Sequence, residues 1–309
     1  MKPSSFKLLL IGILLLCGLS EASQAGPLFD RWRARRAEQA TAATEHALPN
    51  GVRRLSNIAY GSDPAQTFDV YLPPNAHDAP VIFMVHGGAW AIGNKAMGRV
   101  VDAKVARWVG RGFIFVSTNY RMLPSAAPDL QLRDVASALA AAQERVPQWG
   151  GDARRFVLMG HSAGAHLVSL LNATPHLDAA QPWQPVLGVV ALDSAAMNVE
   201  QIMRAKHYRL YDKPFGKDPA YWRAMSPTLQ LQAGAKPLLE VCSTRRDDSC
   251  QQAHQFAERA TQLGVRAEVL EEDMSHGDIN SQLGDALAYT AAVEKFMAEL
   301  DPALAALLR

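Results

Sequence analysis

The segment Gly160-His161-Ser162-Ala163-Gly164 constrains the fold of this chain more than any other. It follows an apolar run at residues 155–159, typical of a buried strand, and precedes residues 166–171, which favour a helix start. Strand, Gly-x-Ser-x-Gly and helix together predict a turn too tight for larger side chains, with the serine hydroxyl exposed at its tip. Ser162 is therefore a candidate nucleophile. The alternative is a loop in which a serine happens to lie between two glycines.

A second apolar run ends in another glycine-containing segment. Residues 80–85 predict a buried strand, and residues 86–90 read His-Gly-Gly-Ala-Trp. This is a variant of the HGGG segment whose backbone N–H groups form an oxyanion hole. We assign the donors to the amides of Gly88 and Ala89, with that of Ala163 as the third, because a developing negative charge needs donors already fixed in place. The alternative is an ordinary glycine turn after a strand.

The N-terminus predicts export. Residues 1–25 resemble a signal peptide, with Lys2 and Lys7 before an apolar stretch at 8–16 and a small-residue cleavage site at 23–25. The apolar stretch is too short to span a bilayer comfortably, so we expect no stable membrane span after cleavage and a periplasmic or secreted protein. Residues 26–50 form a basic leader. Cleavage would leave equal numbers of acidic and basic residues, which argues against nucleic-acid binding.

The rest of the chain, residues 51–309, predicts one α/β domain. Apolar runs alternate with longer amphipathic stretches, which indicates a mostly parallel eight-stranded sheet with helices on both faces. The first two strands are joined by a turn and fit an antiparallel edge. The predicted strands are 55–60, 67–72, 81–85, 113–119, 156–159, 186–192, 237–242 and 266–270, and the predicted helices are 95–111, 129–146, 163–172, 250–263 and 282–300.

An insertion at residues 194–236 follows the sixth strand and is rich in aromatic residues. Long insertions in α/β enzymes are often lids or pocket walls. The aromatic side chains could line a substrate site or could equally anchor the insertion to the body of the domain. They are Tyr208, Tyr211, Phe215, Tyr221 and Trp222, accompanied by His207.

A serine nucleophile needs a general base, and His276 is the best placed candidate. The order expected in this arrangement is serine, then acid, then histidine, with the histidine in the loop after the last strand. His276 follows the strand ending near residue 270, whereas His166 and His254 fall inside predicted helices. Those two histidines, like His176 and His207, are weaker candidates.

The acid is expected after the penultimate strand, where Asp247 and Asp248 are adjacent. We choose Asp247, because its distance from the following helix suits the usual loop. Asp248 then lies at the helix N-terminus, where a negative charge is favourable. Asp193, after an earlier strand, is a third candidate. Cys242 and Cys250 flank this loop and could form a disulfide, or could remain a buried thiol and a loop thiol.

Residues 57–300 resemble the α/β-hydrolases of the esterase/lipase group whose oxyanion segment reads HGGxW. That group includes carboxylesterases, feruloyl and acetylxylan esterases and kynurenine-formamidase-like enzymes. One departure concerns residues 242–246, Cys-Ser-Thr-Arg-Arg, where the family usually has a glycine and an acidic residue. The resemblance is carried by residues 68–73, 86–90, 119–121, 134, 160–164 and 226–227.

The expected function is that of an exported serine hydrolase cleaving carboxylic esters of small molecules through Ser162, His276 and Asp247. No cofactor and no metal are expected, because the chemistry needs neither and no His-Glu-x-x-His spacing is present. Two alternatives remain open at this point. One is amide hydrolysis of the arylformamidase or peptidase type, and the other is a non-catalytic binding protein on a hydrolase fold.

Overall fold

A computed structural model describes residues 48–175 and 182–309. The predicted signal peptide and all but the end of the basic leader lie outside the described residues. None of the described helices is long and apolar enough to cross a membrane.

The described residues form one eight-stranded sheet, as the sequence predicts. Its spatial order is β1-β2-β4-β3-β5-β6-β7-β8. β1 pairs with β2, and β2 with β4, in antiparallel fashion, and every other pairing is parallel. The antiparallel edge is therefore confirmed. The strands are β1 Arg53–Ala59, β2 Thr67–Leu72, β3 Ala79–Val85, β4 Ile114–Thr118, β5 Gly151–His161, β6 Gly188–Leu192, β7 Leu238–Ser243 and β8 Ala267–Glu272.

Helices cover both faces of the sheet. Eleven α-helices occur among the described residues: α1 Gly98–Trp108, α2 Pro128–Arg145, α3 Ala163–Ala173, α4 Val199–Arg204, α5 Asp212–Phe215, α6 Pro219–Ala224, α7 Pro227–Gln230, α8 Ser249–Gln262, α9 His276–Ser281, α10 Ala288–Ala298 and α11 Pro302–Leu308.

The central strand β3 shows how the two layers are built. Its residues are all buried, and alternate side chains enter opposite cores. Phe83 packs in the core shared with α2, α3 and α8. Met84 packs in the core shared with α1, α10 and α11. A strand buried on both faces reads as a continuous apolar run, which is why the sequence identifies it.

The predicted helix over 282–300 is wrong at its start. The chain forms α9 first, then turns and begins α10 only at Ala288. Leu283 is fully buried in this turn, and the N–H of Gly284 donates to the Thr290 hydroxyl at 3.0 Å. The pattern of residues 282–300 suits a single helix, but burial of Leu283 in the core stabilises a turn between α9 and α10 instead.

Candidate active site

Ser162 lies at the sharp turn between β5 and α3. Its φ and ψ are 56° and −118°, a conformation that non-glycine residues rarely adopt. The Ser162 N–H donates to the carbonyl of Leu192 on the neighbouring strand at 2.9 Å. A Cβ built on Gly164 would lie 2.1 Å from the Val85 carbonyl oxygen, so this position admits no side chain. The local structure is the one that the Gly-x-Ser-x-Gly pattern predicts.

The glycine segment after β3 packs directly against this turn. A Cβ built on Gly87 would lie 2.9 Å from Ser162 Cβ, so the backbone approaches the serine as closely as it can. Within the described part of the chain, the backbone N–H groups of Gly88, Ala89 and Ala163 donate to no protein acceptor. These three N–H groups, in the segment that meets Ser162 and in the residue after it, are therefore not used in backbone hydrogen bonds of the fold.

His276 is the first residue of α9, just after β8. Its imidazole is 39% exposed and lies 4.5 Å, centroid to centroid, from the ring of His161. His161 Nε2–H donates to the His276 carbonyl at 2.9 Å. Because His161 immediately precedes Ser162, this contact holds the backbone of His276 close to the turn that carries Ser162. Burial, with the nearby His276, lowers the pKa of His161 well below 6.5, so this donor is a neutral imidazole.

Among the described residues, the Ser162 side chain makes no hydrogen bond. Ser162 and His276 therefore follow strands that end at the same edge of the sheet, without being paired in the free protein. Catalytic hydrogen bonds are often long or poorly aligned before substrate binds and tighten in the complex.

The acid beside His276 is Asp193, the residue that follows β6. Its carboxyl group is fully buried, and Oδ2 accepts a hydrogen bond from His276 Nδ1–H at 2.5 Å. Arg246 Nη1 donates to the same oxygen at 3.0 Å. Oδ1 accepts from the Ser243 N–H at 2.9 Å and from the Ser249 hydroxyl. The carboxylate thus has two donors on each oxygen.

These contacts hold Asp193 in its ionised form. Burial alone would raise the pKa of the carboxyl group. The hydrogen bonds from His276 and Ser249 and the charge of Arg246 outweigh burial and hold the pKa of Asp193 well below its usual range. A buried aspartate that stays charged can orient an imidazole and stabilise the imidazolium ion.

The prediction of Asp247 as the acid is therefore wrong in its geometry. The Asp247 side chain is exposed at the surface, and the place beside His276 is taken by Asp193. β6 and β7 are parallel neighbours, so the residues after both strands reach the same edge of the sheet. Asp248 lies at the N-cap of α8, as expected, and its Oδ1 is 3.4 Å from Arg246 Nη2.

Cys242 and Cys250 form a disulfide across the loop after β7. The loop that it closes contributes three of the four groups that donate to Asp193, namely Ser243, Arg246 and Ser249. The disulfide therefore constrains the loop whose groups donate hydrogen bonds to Asp193, although Asp193 itself follows the neighbouring strand β6.

The aromatic residues of the insertion mainly anchor it to the domain. Phe215 and Tyr211 are buried, and their rings lie 4.9 and 6.1 Å from the buried indole of Trp90. Trp90 Nε1–H donates to His166 Nδ1 at 3.3 Å, and His166 Nε2–H donates to the Met225 carbonyl at 2.8 Å. Burial lowers the pKa of His166 to about 4, so it is a neutral packing residue, as expected.

The other aromatic side chains of the insertion lie further out. Tyr221 hydrogen-bonds Asp129 on α2, and Trp222 Nε1–H donates to the Phe215 carbonyl. Tyr208 is 64% exposed. These contacts favour the anchoring interpretation over a continuous aromatic pocket wall.

Two other candidate histidines pair with acidic side chains near them. His207 Nε2 lies 3.0 Å from Asp212 Oδ1, and His254 Nε2 lies 2.6 Å from Glu271 Oε1 on the surface. His176 lies outside the described residues. Across residues 48–175 and 182–309, no three His, Cys, Asp or Glu side chains are grouped so that they could hold a metal ion.

Comparison with known proteins connects this geometry to esterases. A probable isoprenylcysteine alpha-carbonyl methylesterase of Arabidopsis thaliana is 36% identical over 119 residues, covering 38% of this chain and 24% of that protein. A probable carboxylic ester hydrolase of Mycobacterium tuberculosis, LipM, is 30% identical over 273 residues, covering 79% and 61%. This chain spans less than two thirds of the length of either relative.

The fold is shared with solved esterase structures. Esterase B from Lactobacillus rhamnosis superposes with a TM-score of 0.72 at 18% identity, covering 90% of this chain and 94% of that one. Residues 68–259 match the family model of BD-FAE. Because that match covers more than half of the sequence, the chain belongs to the BD-FAE family and is an α/β-hydrolase of the esterase/lipase group.

Proposed function

We propose that this protein is a serine carboxylesterase in which Ser162 is the nucleophile, His276 the general base and Asp193 the acid that orients it. The observation that carries the proposal is the buried Asp193–His276 hydrogen bond beside a strained serine turn with three unpaired amides. The relatives named as ester hydrolases support the same chemistry. The substrate class is a carboxylic ester of a small molecule.

The first half of the reaction acylates Ser162. His276 Nε2 takes the proton of the serine hydroxyl as its oxygen attacks the ester carbonyl, and the carbonyl oxygen becomes an oxyanion. The amides of Gly88, Ala89 and Ala163 donate to that oxyanion. The imidazolium ion is stabilised by Asp193 and then protonates the leaving alcohol. The products of this half are the alcohol and an ester of Ser162.

Water completes the cycle. His276 takes a proton from a water molecule as the water oxygen attacks the acyl carbonyl carbon, and the resulting oxyanion again faces the three amides. The bond between the acyl carbon and Ser162 Oγ then breaks, the imidazolium returns its proton to Ser162, and the carboxylic acid product leaves. The exposed edge of His276 gives water a direct approach to the base. No step requires a metal ion or an organic cofactor.

Hydrolysis of a p-nitrophenyl ester tests this proposal. Ser162→Ala should lower kcat/KM by about 10⁴-fold or more, because loss of a triad member leaves only the oxyanion amides and binding. Ser62→Ala is the matched control, since Ser62 is an exposed serine in the turn after β1. Retained hydrolysis by a folded Ser162→Ala variant would overturn the assignment.

We also propose that the protein is exported to the periplasm or secreted. The signal-like composition of residues 1–25 supports this, as does a disulfide, which persists in oxidising compartments. Expression of the full chain in a bacterial host, followed by N-terminal sequencing of the periplasmic fraction, should find a mature protein that begins at Gly26. Recovery of an uncleaved chain in the cytosol alone would contradict export.

A further inference from the structure

Arg246 occupies an unusual position between the acid and the base. Its Nη1 lies 3.0 Å from Asp193 Oδ2, 3.1 Å from the Asp193 carbonyl oxygen and 3.1 Å from His276 Nδ1. The guanidinium is only 26% exposed. The proposed ester hydrolysis uses no arginine, so it assigns no role to this half-buried cation.

The hydrogen bonds around Asp193 indicate what the arginine does. An ionised carboxylate offers about four acceptor sites, and here all four are used. Arg246 and His276 share Oδ2, while Ser243 and Ser249 share Oδ1. Both Nη1–H of Arg246 and Nδ1–H of His276 point at the same oxygen, so the arginine fixes the direction from which the imidazole can approach.

The origin of the two charges gives the second observation. Asp193 follows β6, whereas Arg246 lies in the loop after β7 and pairs with it. Arg246 therefore links the ends of two neighbouring strands at the carboxylate that faces His276.

We propose that Arg246 is a positioning residue that holds Asp193 in the orientation His276 requires. This inference rests on the proposed serine esterase function. Arg246 acts through Asp193 and His276, without contact to the ester. Its own position is fixed by the disulfide-closed loop and by Asp248, which lies 3.4 Å from Nη2.

The charges around His276 set the direction of a pH effect. From the end of β5 it faces His161, from the end of β6 Asp193, and from the loop after β7 Arg246 with its partner Asp248. Asp278 lies on its own helix and is bound to Ser275. Removal of the Arg246 charge favours the protonated imidazole, so the base is lost at a higher pH than in the parent protein.

The test compares three variants by steady-state hydrolysis of p-nitrophenyl butyrate across pH. Arg246→Met should lower the plateau kcat about tenfold with KM changed less than twofold, and should move the acidic limb of the kcat/KM profile upward by about one pH unit. Arg246→Lys keeps the charge without the planar fork, so the acidic limb should stay near that of the parent while kcat recovers partly. Arg245→Met is the matched control, because Arg245 is exposed and its side chain pairs with Asp273.

A folded Arg246→Met variant with the kcat and pH profile of the parent would overturn the proposal, as would a loss confined to KM. If the methionine variant does not fold, as judged by circular dichroism, Arg246→Lys decides: kcat equal to that of the parent contradicts a need for the guanidinium fork. Failure of the esterase function itself is distinguishable, because the parent protein would then show no hydrolysis that depends on Ser162.

Discussion

Replacing Asp193 with asparagine changes one atom of a buried side chain that accepts four hydrogen bonds. The amide of asparagine must place its NH₂ group where one of the two carboxylate oxygens stood. At the Oδ2 position, the NH₂ group meets Arg246 Nη1–H and His276 Nδ1. His276 must then accept through Nδ1 and carry its proton on Nε2, the tautomer that cannot take the proton of Ser162.

The other orientation is also unfavourable. At the Oδ1 position, the NH₂ group faces the backbone N–H of Ser243, a fixed donor that cannot rotate away. A buried donor left unpaired in this way costs about 1–3 kcal/mol. Both orientations remove the negative charge that stabilises the imidazolium ion. Loss of the acid in such triads lowers kcat by about 10⁴-fold, or about 5.5 kcal/mol at 1.36 kcal/mol per decade.

We therefore expect Asp193→Asn to lower kcat for a p-nitrophenyl ester by about 10³ to 10⁴-fold, with circular dichroism showing a folded protein. Asp247→Asn is the matched control and should change kcat less than twofold, because Asp247 is an exposed residue of the same region. An Asp193→Asn variant that keeps a tenth of the parent's kcat would contradict the role of Asp193. So would an Asp247→Asn variant whose kcat falls as far as that of Asp193→Asn.

Three further outcomes test the structure by urea unfolding. Replacing Cys242 and Cys250 with alanine should lower the free energy of unfolding by about 2.5 kcal/mol, because the disulfide no longer closes this short loop in the unfolded chain. A reductant should destabilise the parent and leave the alanine variant unchanged. Gly164→Ala should cost about 3 kcal/mol or more, because its methyl group meets the Val85 carbonyl. Burial raises the pKa of Glu240 well above 4.5 in the folded protein. Between pH 4.5 and that raised pKa, the parent should therefore lose about 1.4 kcal/mol of stability per pH unit relative to Glu240→Gln. Parallel pH profiles of the two proteins would contradict this.

Periodicity and burial explain why the sheet was predictable. β3 and β6 are buried along their whole length, so their sequences are continuous runs of apolar or small residues. The serine turn was predictable for a different reason. Only glycine fits at position 164, where any side chain would clash with the Val85 carbonyl, so the turn requires a glycine that can be recognised in the sequence.

The acid was not predictable in the same way. The last residues of parallel strands lie at the same edge of the sheet, so residues that follow β6 and residues that follow β7 both lie close to His276. No local pattern distinguishes Asp193 from Asp247, and the choice depends on which side chain turns inward. Asp193 has a φ of 51° and lies fully buried, facts that emerge only in three dimensions. A useful signal was present in Arg246, because a cation in the acid loop implies an anion supplied from elsewhere.

Covalent labelling with a fluorophosphonate, followed by peptide mapping by mass spectrometry, shows which serine of this protein is the nucleophile. The proposed mechanism requires that a nucleophilic serine activated by His276 attack the phosphorus centre. We expect one adduct on the peptide that contains Ser162, with labelling abolished in His276→Ala and slowed in Asp193→Asn. An adduct on another residue, or a folded parent protein that takes up no label, would contradict it.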